Sequence, residues 1–323
     1  MKKRLWSRWI LALAVVWPFM AAAHDRVREK ENFDFDWKFI LNADDRANAG
    51  MQVSEAGWQD VQLPHDWSIS QDFNPKLSGS NGHLPGGIGW YRKTFRVDKE
   101  DKGRRIAVLF DGIYSRSDVY VNGQHLGFRP YGFCYQEYDL TPYLNYGAEN
   151  VLAVRVNNPL EHDSVARWYT GAGIYRHAWL VKTAEVHVAS YGTYVTTPVV
   201  TAERAEVRVR TSVANEAERT KTLSVRQQIT DGEGRTVVQS GKQALQVAAG
   251  QTTDTEHTLE IPRPQLWDTE HPYLYTLHTS VYDGRKLVDT YETVFGVCKC
   301  EFTSDRGFLL NGKPLKLKGF CLH

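Results

Sequence analysis

The stretch "SDVYVNGQHLG", from Ser117 to Gly127, predicts a β-hairpin. Val119 and Val121 alternate with other residues, which is the period-two pattern of a strand with one face in a core. Asn122-Gly123 follow directly, and this dipeptide is the strongest short signal for a two-residue hairpin turn. The stretch therefore predicts two antiparallel strands and an all-β fold around them.

The segments on either side of this hairpin have the same period. "RRIAVLFDGI" (104–113) places Ile106, Val108 and Phe110 on one face. "NVLAVRVNN" (150–158) is apolar on both faces, which is typical of a central strand. Many short strands separated by turn residues indicate a sandwich or a barrel.

A second group of strands begins near residue 184. "AEVRVRTSVAN" (205–215) alternates inward and outward positions, and two hairpins turn at Asp231-Gly232 and Asp283-Gly284. About 110 residues with about seven strands is the immunoglobulin-like format, although the Cys…Trp…Cys pattern of antibody domains is absent. The inward positions of the first strand are Val207, Val209, Thr211 and Val213. We predict a first sandwich over 24–183, a second over 184–297 and a further segment over 298–323.

The composition is that of a globular protein with two or three domains. The chain has 323 residues, 42% of them hydrophobic, and a net charge of +1. A net charge this small provides no basic field for nucleic acid. Ten Trp and sixteen Tyr are many for this length. They favour either large β-sheet cores or rings that stack on sugars, and both interpretations stay open.

The N-terminus has the pattern of a secretory signal peptide over residues 1–23. Basic residues at Lys2, Lys3 and Arg4 precede an apolar run and then Ala21-Ala22-Ala23. We expect cleavage after Ala23 and export to the periplasm or the medium. A membrane span needs about 20 apolar residues, and this run is shorter, so no membrane anchoring is expected after cleavage.

The sequence shows no metal or cofactor motif, so we expect neither. "GGIG" (86–89) follows a proline and is predicted to be a turn, not a phosphate cradle. Cys298 and Cys300 share a face of a strand, with Cα atoms about 6.6 Å apart, near the upper limit for a disulfide. No His cluster accompanies the four Cys, and we expect four buried thiols.

Six stretches together resemble glycoside hydrolase family 2, and most closely its bacterial β-galactosidases. No one of them is decisive, but their order is specific. They are "VQLPHDWSI" (61–69), "LPGGIGWYRKTF" (84–95), "FDGIYSRSDVYVNGQHLG" (110–127), "RWYTGAGIYR" (167–176), "PQLWDTEHPYLYTL" (264–277) and "GFLLNGKPLKLKGFCLH" (307–323).

The resemblance implies a jelly-roll sugar-binding domain, an immunoglobulin-like domain and the start of a (β/α)₈ barrel. The last stretch would then be a hairpin turning at Asn311-Gly312 that leads into the first barrel strand. Retaining hydrolysis of terminal β-galactosides needs two carboxyl groups about 5–5.5 Å apart. In the family both are Glu on later barrel strands, beyond His323. We therefore expect no catalytic residue, and no activity, in residues 1–323 alone.

The resemblance also implies substrate-binding residues in three places. The loop with Arg167, Trp168 and Tyr169 reaches the sugar subsite in the family, and His65 and Asp66 lie near its edge. For this loop the alternative is that Trp168 fills the core and Arg167 pairs inside the domain. For His65 and Asp66, the alternative is that Asp66 caps a turn and Trp67 lies in the core of the sandwich.

The third place is His323, which corresponds to a His that faces the substrate pocket in the family. The chain departs from the family's pattern at two positions: Cys321 replaces the usual Asn, and Cys298 replaces the usual Arg. The implied partner is a carbohydrate, and the full-length enzyme is expected to be a homo-oligomer. A non-catalytic carbohydrate-binding module, a β-glucuronidase and a β-mannosidase remain alternatives. A two-domain module is expected to end after Val297 and not inside a strand that begins a third fold, so the enzyme is favoured.

Overall fold

The computed structural model describes residues 27–41, 44–77, 79, 82–158 and 168–321. The predicted signal peptide lies outside these residues. The described helices are short 3-10 turns at Arg46–Ala49, Ser68–Ser70, Lys99–Asp101 and Thr141–Tyr143. Among the described residues no helix is long and apolar enough to cross a membrane. Strands therefore dominate the fold, as predicted.

Ten strands among the described residues form the first sandwich. Their bounds are β1 Glu29–Asn32, β2 Trp37–Leu41, β3 Gln59–Val61, β4 Gly87–Arg96, β5 Arg105–Phe110, β6 Ser117–Val121, β7 Gln124–Arg129, β8 Gln136–Asp139, β9 Glu149–Asn158 and β10 Ala178–Thr183. One sheet has the order β1-β10-β5-β8 and the other β3-β2-β4-β9-β6-β7. All their pairs are antiparallel, and the two sheets enclose an aromatic-rich core, as the predicted jelly roll requires.

The strands of the first sandwich follow the sequence pattern. Ile106, Val108 and Phe110 on β5 all lie in the core. Strand β9 lies between β4 and β6, which makes it central and explains why both of its faces are apolar. The predicted turn at Asn122-Gly123 joins β6 to β7 with both residues at positive φ.

Eight strands form the second sandwich. Their bounds are β11 Val186–Val200, β12 Arg204–Asn215, β13 Lys221–Thr230, β14 Thr236–Gln239, β15 Gln243–Val247, β16 Gln251–Pro262, β17 Tyr275–Asp283 and β18 Lys286–Phe295. One sheet has the order β11-β12-β16. The other has the order β14-β13-β17-β18, and β15 also pairs with β13. Thr211 faces inward on β12, as predicted. Its hydroxyl is satisfied there, since it accepts a hydrogen bond of 2.9 Å from the buried amide of Gln227. This is the expected immunoglobulin-like architecture.

A small third sheet follows. It consists of β19 Cys300–Thr303, β20 Gly307–Leu310 and β21 Lys313–Pro314, in that order. Asn311 and Gly312 turn the last hairpin at φ 51° and 76°, as predicted. Residues 315–321 form no strand, so the first barrel strand stays an expectation from the resemblance.

Two expectations from the sequence are wrong. Residues 87–89 of "GGIG" belong to β4 and are not a turn. A Cβ on Gly89 would lie 2.7 Å from Phe39 Cε2 and 2.9 Å from Trp67 Cζ3, so close packing requires the glycine. The four thiols are also not buried: Cys134 and Cys298 are half-buried, and Cys300 and Cys321 are exposed.

Polar contacts join the two sandwiches. Arg28 donates to both carboxylate oxygens of the buried Asp289 at 3.0 and 2.8 Å. Arg105 on β5 donates to Glu216 at 2.9 Å, and Tyr191 on β11 donates to Asp111 at 3.0 Å. Arg28 and Arg105 are 12% and 11% exposed and Asp289 is buried. Glu216 and Tyr191 are 42% and 54% exposed, so the joint is only partly shielded from water.

His187 at this joint makes stability depend on pH. Burial, and then the charges of Arg105 and Arg28, lower the pKa of His187 to about 3. The unfolded value is about 6.5, so the unfolded chain binds the proton more tightly between these values. The contribution of His187 to stability is therefore fully present above about pH 6.5, and it is lost as the pH is lowered towards about 3.

Because of His187, we expect the free energy of unfolding to be about 2 kcal/mol lower at about pH 5 than at about pH 7. Urea unfolding at both pH values measures it. His187→Asn should reduce the difference, whereas the same change at the exposed His271 should retain it. An unchanged difference in His187→Asn would contradict the assignment.

Candidate functional site

Two chain segments meet at one end of the first sandwich, residues 64–67 and 168–174, and we call them the rim. Two backbone hydrogen bonds join them: His65 N donates to Ile174 O at 2.8 Å and Trp67 N to Ala172 O at 3.1 Å. Gly173 also exchanges two hydrogen bonds with Tyr114, at 2.8 and 2.9 Å. The second segment is therefore held from both sides.

Asp66 is the main side-chain link within the rim. Its Oδ1 accepts from the backbone nitrogens of Ser68 and Ala172, both at 3.0 Å, and its Oδ2 accepts from the Tyr169 hydroxyl at 2.7 Å. Burial and the Asp66 carboxylate both raise the pKa of Tyr169. The phenol therefore remains a protonated donor. Asp66 caps the turn, as one of the two interpretations predicted, and it also fixes the loop that carries Tyr169 through hydrogen bonds.

His65 faces the interior. Its Nδ1 lies 2.7 Å from the hydroxyl of the buried Tyr91, and its ring packs at 4.8 Å from that of Phe39. Burial lowers the pKa of His65, so the imidazole is neutral at pH 7. Trp67 is 1% exposed and stacks on Phe39, which confirms that it belongs to the core. His65 and Trp67 therefore anchor the first segment of the rim to the core.

Two glycines let the second segment lie this close to the first. Gly171 has φ +75°, and a Cβ there would lie 2.8 Å from Asp66 Oδ2. Gly173 has φ +126°, and a Cβ would contact the Tyr91 hydroxyl and lie 2.6 Å from His65 O. Both positions require glycine for conformation and for space.

The rim presents two aromatic side chains to solvent. Trp168 is 51% exposed and Tyr169 is 38% exposed. The alternative that Trp168 fills the core is therefore wrong. Arg167 and His323, the other predicted binding residues, lie outside the described residues. The structure thus brings together Trp168, Tyr169, Asp66 and His65.

Sequence reasoning missed several supporting residues. Asn158, at the end of β9, donates to Gly171 O at 3.0 Å. Tyr175 donates to Gly132 O at 2.9 Å, which holds the loop carrying the exposed Phe133 beside Tyr114. Tyr114 and Tyr175 lie in two of the six stretches that carry the resemblance, and residues 128–135 are rich in aromatics, whereas no local pattern marks Asn158. Among the described residues, no group of three or more His, Cys, Asp or Glu could hold a metal ion.

Two family models match the two sandwiches. "Glycosyl hydrolases family 2, sugar binding domain" matches residues 31–184, and "Glycosyl hydrolases family 2" matches residues 186–297. Together they cover most of the chain, and each falls on one of the two sandwiches.

Relatives and solved structures agree with the family models. A β-galactosidase, BoGH2A from Bacteroides ovatus, is 42% identical over 304 residues, which are 92% of this chain and 34% of that protein. A β-glucuronidase from Formosa agariphila is 33% identical over 320 residues, 91% of this chain and 32% of that protein. A family 2 structure from Bacteroides cellulosilyticus superposes with a TM-score of 0.83 at 38% identity, covering 91% of this chain and 38% of that one. The chain spans about a third of these relatives, and it belongs to the glycosyl hydrolases of family 2.

Proposed function

We propose that this chain is the N-terminal part of an exported, retaining β-galactosidase, in which the rim contacts the terminal sugar. The observation that carries the proposal is that Asp66 and two glycines fix a loop that exposes Trp168 and Tyr169. The exposed indole of Trp168, next to Tyr169, offers a flat apolar surface to the apolar face of a sugar ring. The 42% identity with a β-galactosidase supports the same substrate class.

The rim is suited to binding and not to bond cleavage. Hydrolysis with retention needs a protonated acid and an ionised nucleophile about 5–5.5 Å apart. Asp66 is the only carboxylate in residues 64–67 and 168–174, and both its oxygens accept hydrogen bonds from the protein. In the proposed enzyme, the carboxylates that react therefore belong to the other two thirds of the protein.

β-Glucuronidase is the second candidate, because relatives at 33% identity carry that name. A glucuronide brings a carboxylate, which proteins usually pair with Arg or Lys. Residues 64–67 and 168–174 contain neither, and His65 is neutral. Arg167, the predicted binding residue beside Trp168, lies outside the described residues, so the preference for a neutral sugar rests on the higher identity to a β-galactosidase. Export rests on the signal-peptide pattern of residues 1–23 and is part of the proposal.

Comparing nitrophenyl glycosides as substrates of the complete enzyme tests the proposal. We expect kcat/KM for the β-galactoside to exceed that for the β-glucuronide and the β-mannoside at least about tenfold, or about 1.4 kcal/mol in transition-state binding. A preference for the glucuronide would replace the proposal by the second candidate. No hydrolysis of any of the three, with sugar binding retained, would indicate a carbohydrate-binding module.

A further inference from the structure

Three aromatic side chains in the loop between β7 and β8 are exposed to solvent. The loop contains the stretch "PYGFCY" (130–135), in which every second residue from Tyr131 onward is aromatic. Tyr131, Phe133 and Tyr135 are all exposed, whereas Gly132 between the first two is buried. Neighbouring exposed rings of this kind are typical of a binding surface and not of a core.

Contacts on the inner side of this loop hold the rings in place. Tyr175 donates to Gly132 O at 2.9 Å. The centroid of the Phe133 ring lies 5.1 Å from that of Tyr114 and 5.7 Å from that of Tyr131. The rings therefore have their exposed positions before any ligand arrives, which reduces the conformational entropy that binding would cost.

A fourth ring comes from the second sandwich. The pairing of β11 with β12 shifts register between residues 188 and 193, and Tyr191 in this irregular stretch has φ 54°. Bulges of this type redirect a side chain. The ring of Tyr191 is exposed and lies 4.8 Å from that of Tyr135. We call the four exposed rings the ledge: Tyr131, Phe133, Tyr135 and Tyr191.

Asp111 provides a polar group at the end of the ledge. Its Oδ1 accepts from the Tyr191 hydroxyl at 3.0 Å, and its Oδ2 accepts from Trp179 Nε1 at 2.9 Å. Burial and the hydrogen bond to Asp111 raise the pKa of Tyr191 to about 12, so the phenol stays protonated. The carboxylate is only half-buried, and each of its oxygens can accept more than one hydrogen bond. Hydroxyl groups of a ligand can therefore donate to it.

We propose that the ledge binds a chain of neutral sugars, whose apolar faces stack on the rings while a sugar hydroxyl donates to Asp111. Three of the four rings are tyrosines, which combine an apolar face with a hydrogen-bonding hydroxyl. An apolar protein surface would bury Asp111 and these hydroxyls at a cost, whereas sugar hydroxyls supply partners for them. The charge of Asp111 disfavours an anionic sugar.

The ledge shares no residue with the rim, so the proposal goes beyond the sugar contact described above. The family model for a sugar binding domain, over residues 31–184, includes three of its four rings. The fourth ring, Tyr191, belongs to the second sandwich. A sugar chain on the ledge would therefore contact both sandwiches.

Calorimetric titration with the hexamer of β-1,4-linked glucose tests the proposal, on the 323-residue chain and on the complete enzyme. The equatorial substituents of this hexamer leave both faces of each unit apolar, and a β-galactosidase does not remove its terminal glucose. We expect a Kd below about 1 mM for both proteins. Glucose alone, and the corresponding hexamer of glucuronic acid, should bind at least about tenfold more weakly.

Variants place the binding on the ledge. Tyr135→Ala and Tyr191→Ala should each weaken binding of the hexamer about fivefold. Tyr191→Phe keeps the ring and should have a smaller effect. Tyr194→Ala, the matched control, removes an exposed ring elsewhere on β11 and should leave the Kd unchanged. Trp168→Ala, which changes the rim, should also leave it unchanged.

Four results would overturn the proposal: no binding of the hexamer, a loss of affinity in Trp168→Ala but not in Tyr135→Ala, tighter binding of the glucuronic acid hexamer, or binding by the 323-residue chain alone. The last would mean that the rest of the enzyme covers the ledge. A dimer in light scattering that Tyr135→Ala dissociates would make the ledge an interface between two copies, and would equally overturn it. None of these results decides the proposed function, which depends on the comparison of nitrophenyl glycosides.

Discussion

Replacing Gly173 by alanine is expected to lower the free energy of unfolding by about 2–6 kcal/mol. The new Cβ would contact the Tyr91 hydroxyl and lie 2.6 Å from His65 O. Overpacking of this kind costs about 1–3 kcal/mol, and a left-handed backbone conformation in a residue other than glycine costs about 1–3 kcal/mol more. The chain has no easy way to move, because Gly173 exchanges two hydrogen bonds with Tyr114.

Urea unfolding of Gly173→Ala and of Gly241→Ala measures this effect against a matched control. Gly241 has no atom within 4 Å of an added Cβ and no positive φ that resists a side chain. Its substitution should change the free energy of unfolding by no more than about 0.5 kcal/mol. Equal stability of the two variants would show that the rim tolerates a side chain at Gly173 and is not held as described.

Replacing Asp289 by alanine is expected to cost about 3–5 kcal/mol, because it removes one partner of a buried ion pair. The change leaves the Arg28 guanidinium with little water around it, and Val188 N loses an acceptor at 2.7 Å. Burial raises the pKa of Asp289 in spite of Arg28. Desolvation thus opposes the pair, and the expected loss reflects the uncompensated cation more than the strength of the bond.

The exposed pair of Arg204 and Glu260, 2.9 Å apart, provides the comparison. Glu260→Gln should change the free energy of unfolding by less than about 1 kcal/mol, since water screens such pairs. The double variant Arg28→Met with Asp289→Ala should recover part of the loss, because it removes the unpaired charge. A small effect of Asp289→Ala alone would mean that water or another carboxylate replaces Asp289 at the joint.

The strands could be predicted because their signal is local. Alternation along β5 and β12, and apolar residues on both faces of β9, indicate which faces are buried without any knowledge of the partner strands. The two Asn-Gly turns are equally local, since both residues of Asn122-Gly123 and of Asn311-Gly312 have positive φ.

The rim was only partly predictable because its contacts are distant in sequence. The hydrogen bond from Ala172 to Asp66 joins residues 106 apart, so the motif identified both segments but not the link between them. "GGIG" was misassigned for the same reason, since Gly89 is required by the distant rings of Phe39 and Trp67. The thiols were misplaced because burial of a short strand such as β19, where Cys300 lies, depends on neighbours that no local pattern identifies.

The most direct test of the central claim, that the rim contacts the sugar, is the KM of the Trp168→Ala variant of the complete enzyme for nitrophenyl β-galactoside. Removing a ring that stacks on the sugar costs about 1–2 kcal/mol of binding, which corresponds to a rise of about tenfold in KM. Thermal stability should not change, since Trp168 is 51% exposed, and Tyr194→Ala, at a ring 60% exposed on the second sandwich, should leave KM unchanged. A KM for Trp168→Ala equal to that of the unmodified enzyme would show that the indole does not meet the substrate and would contradict the account.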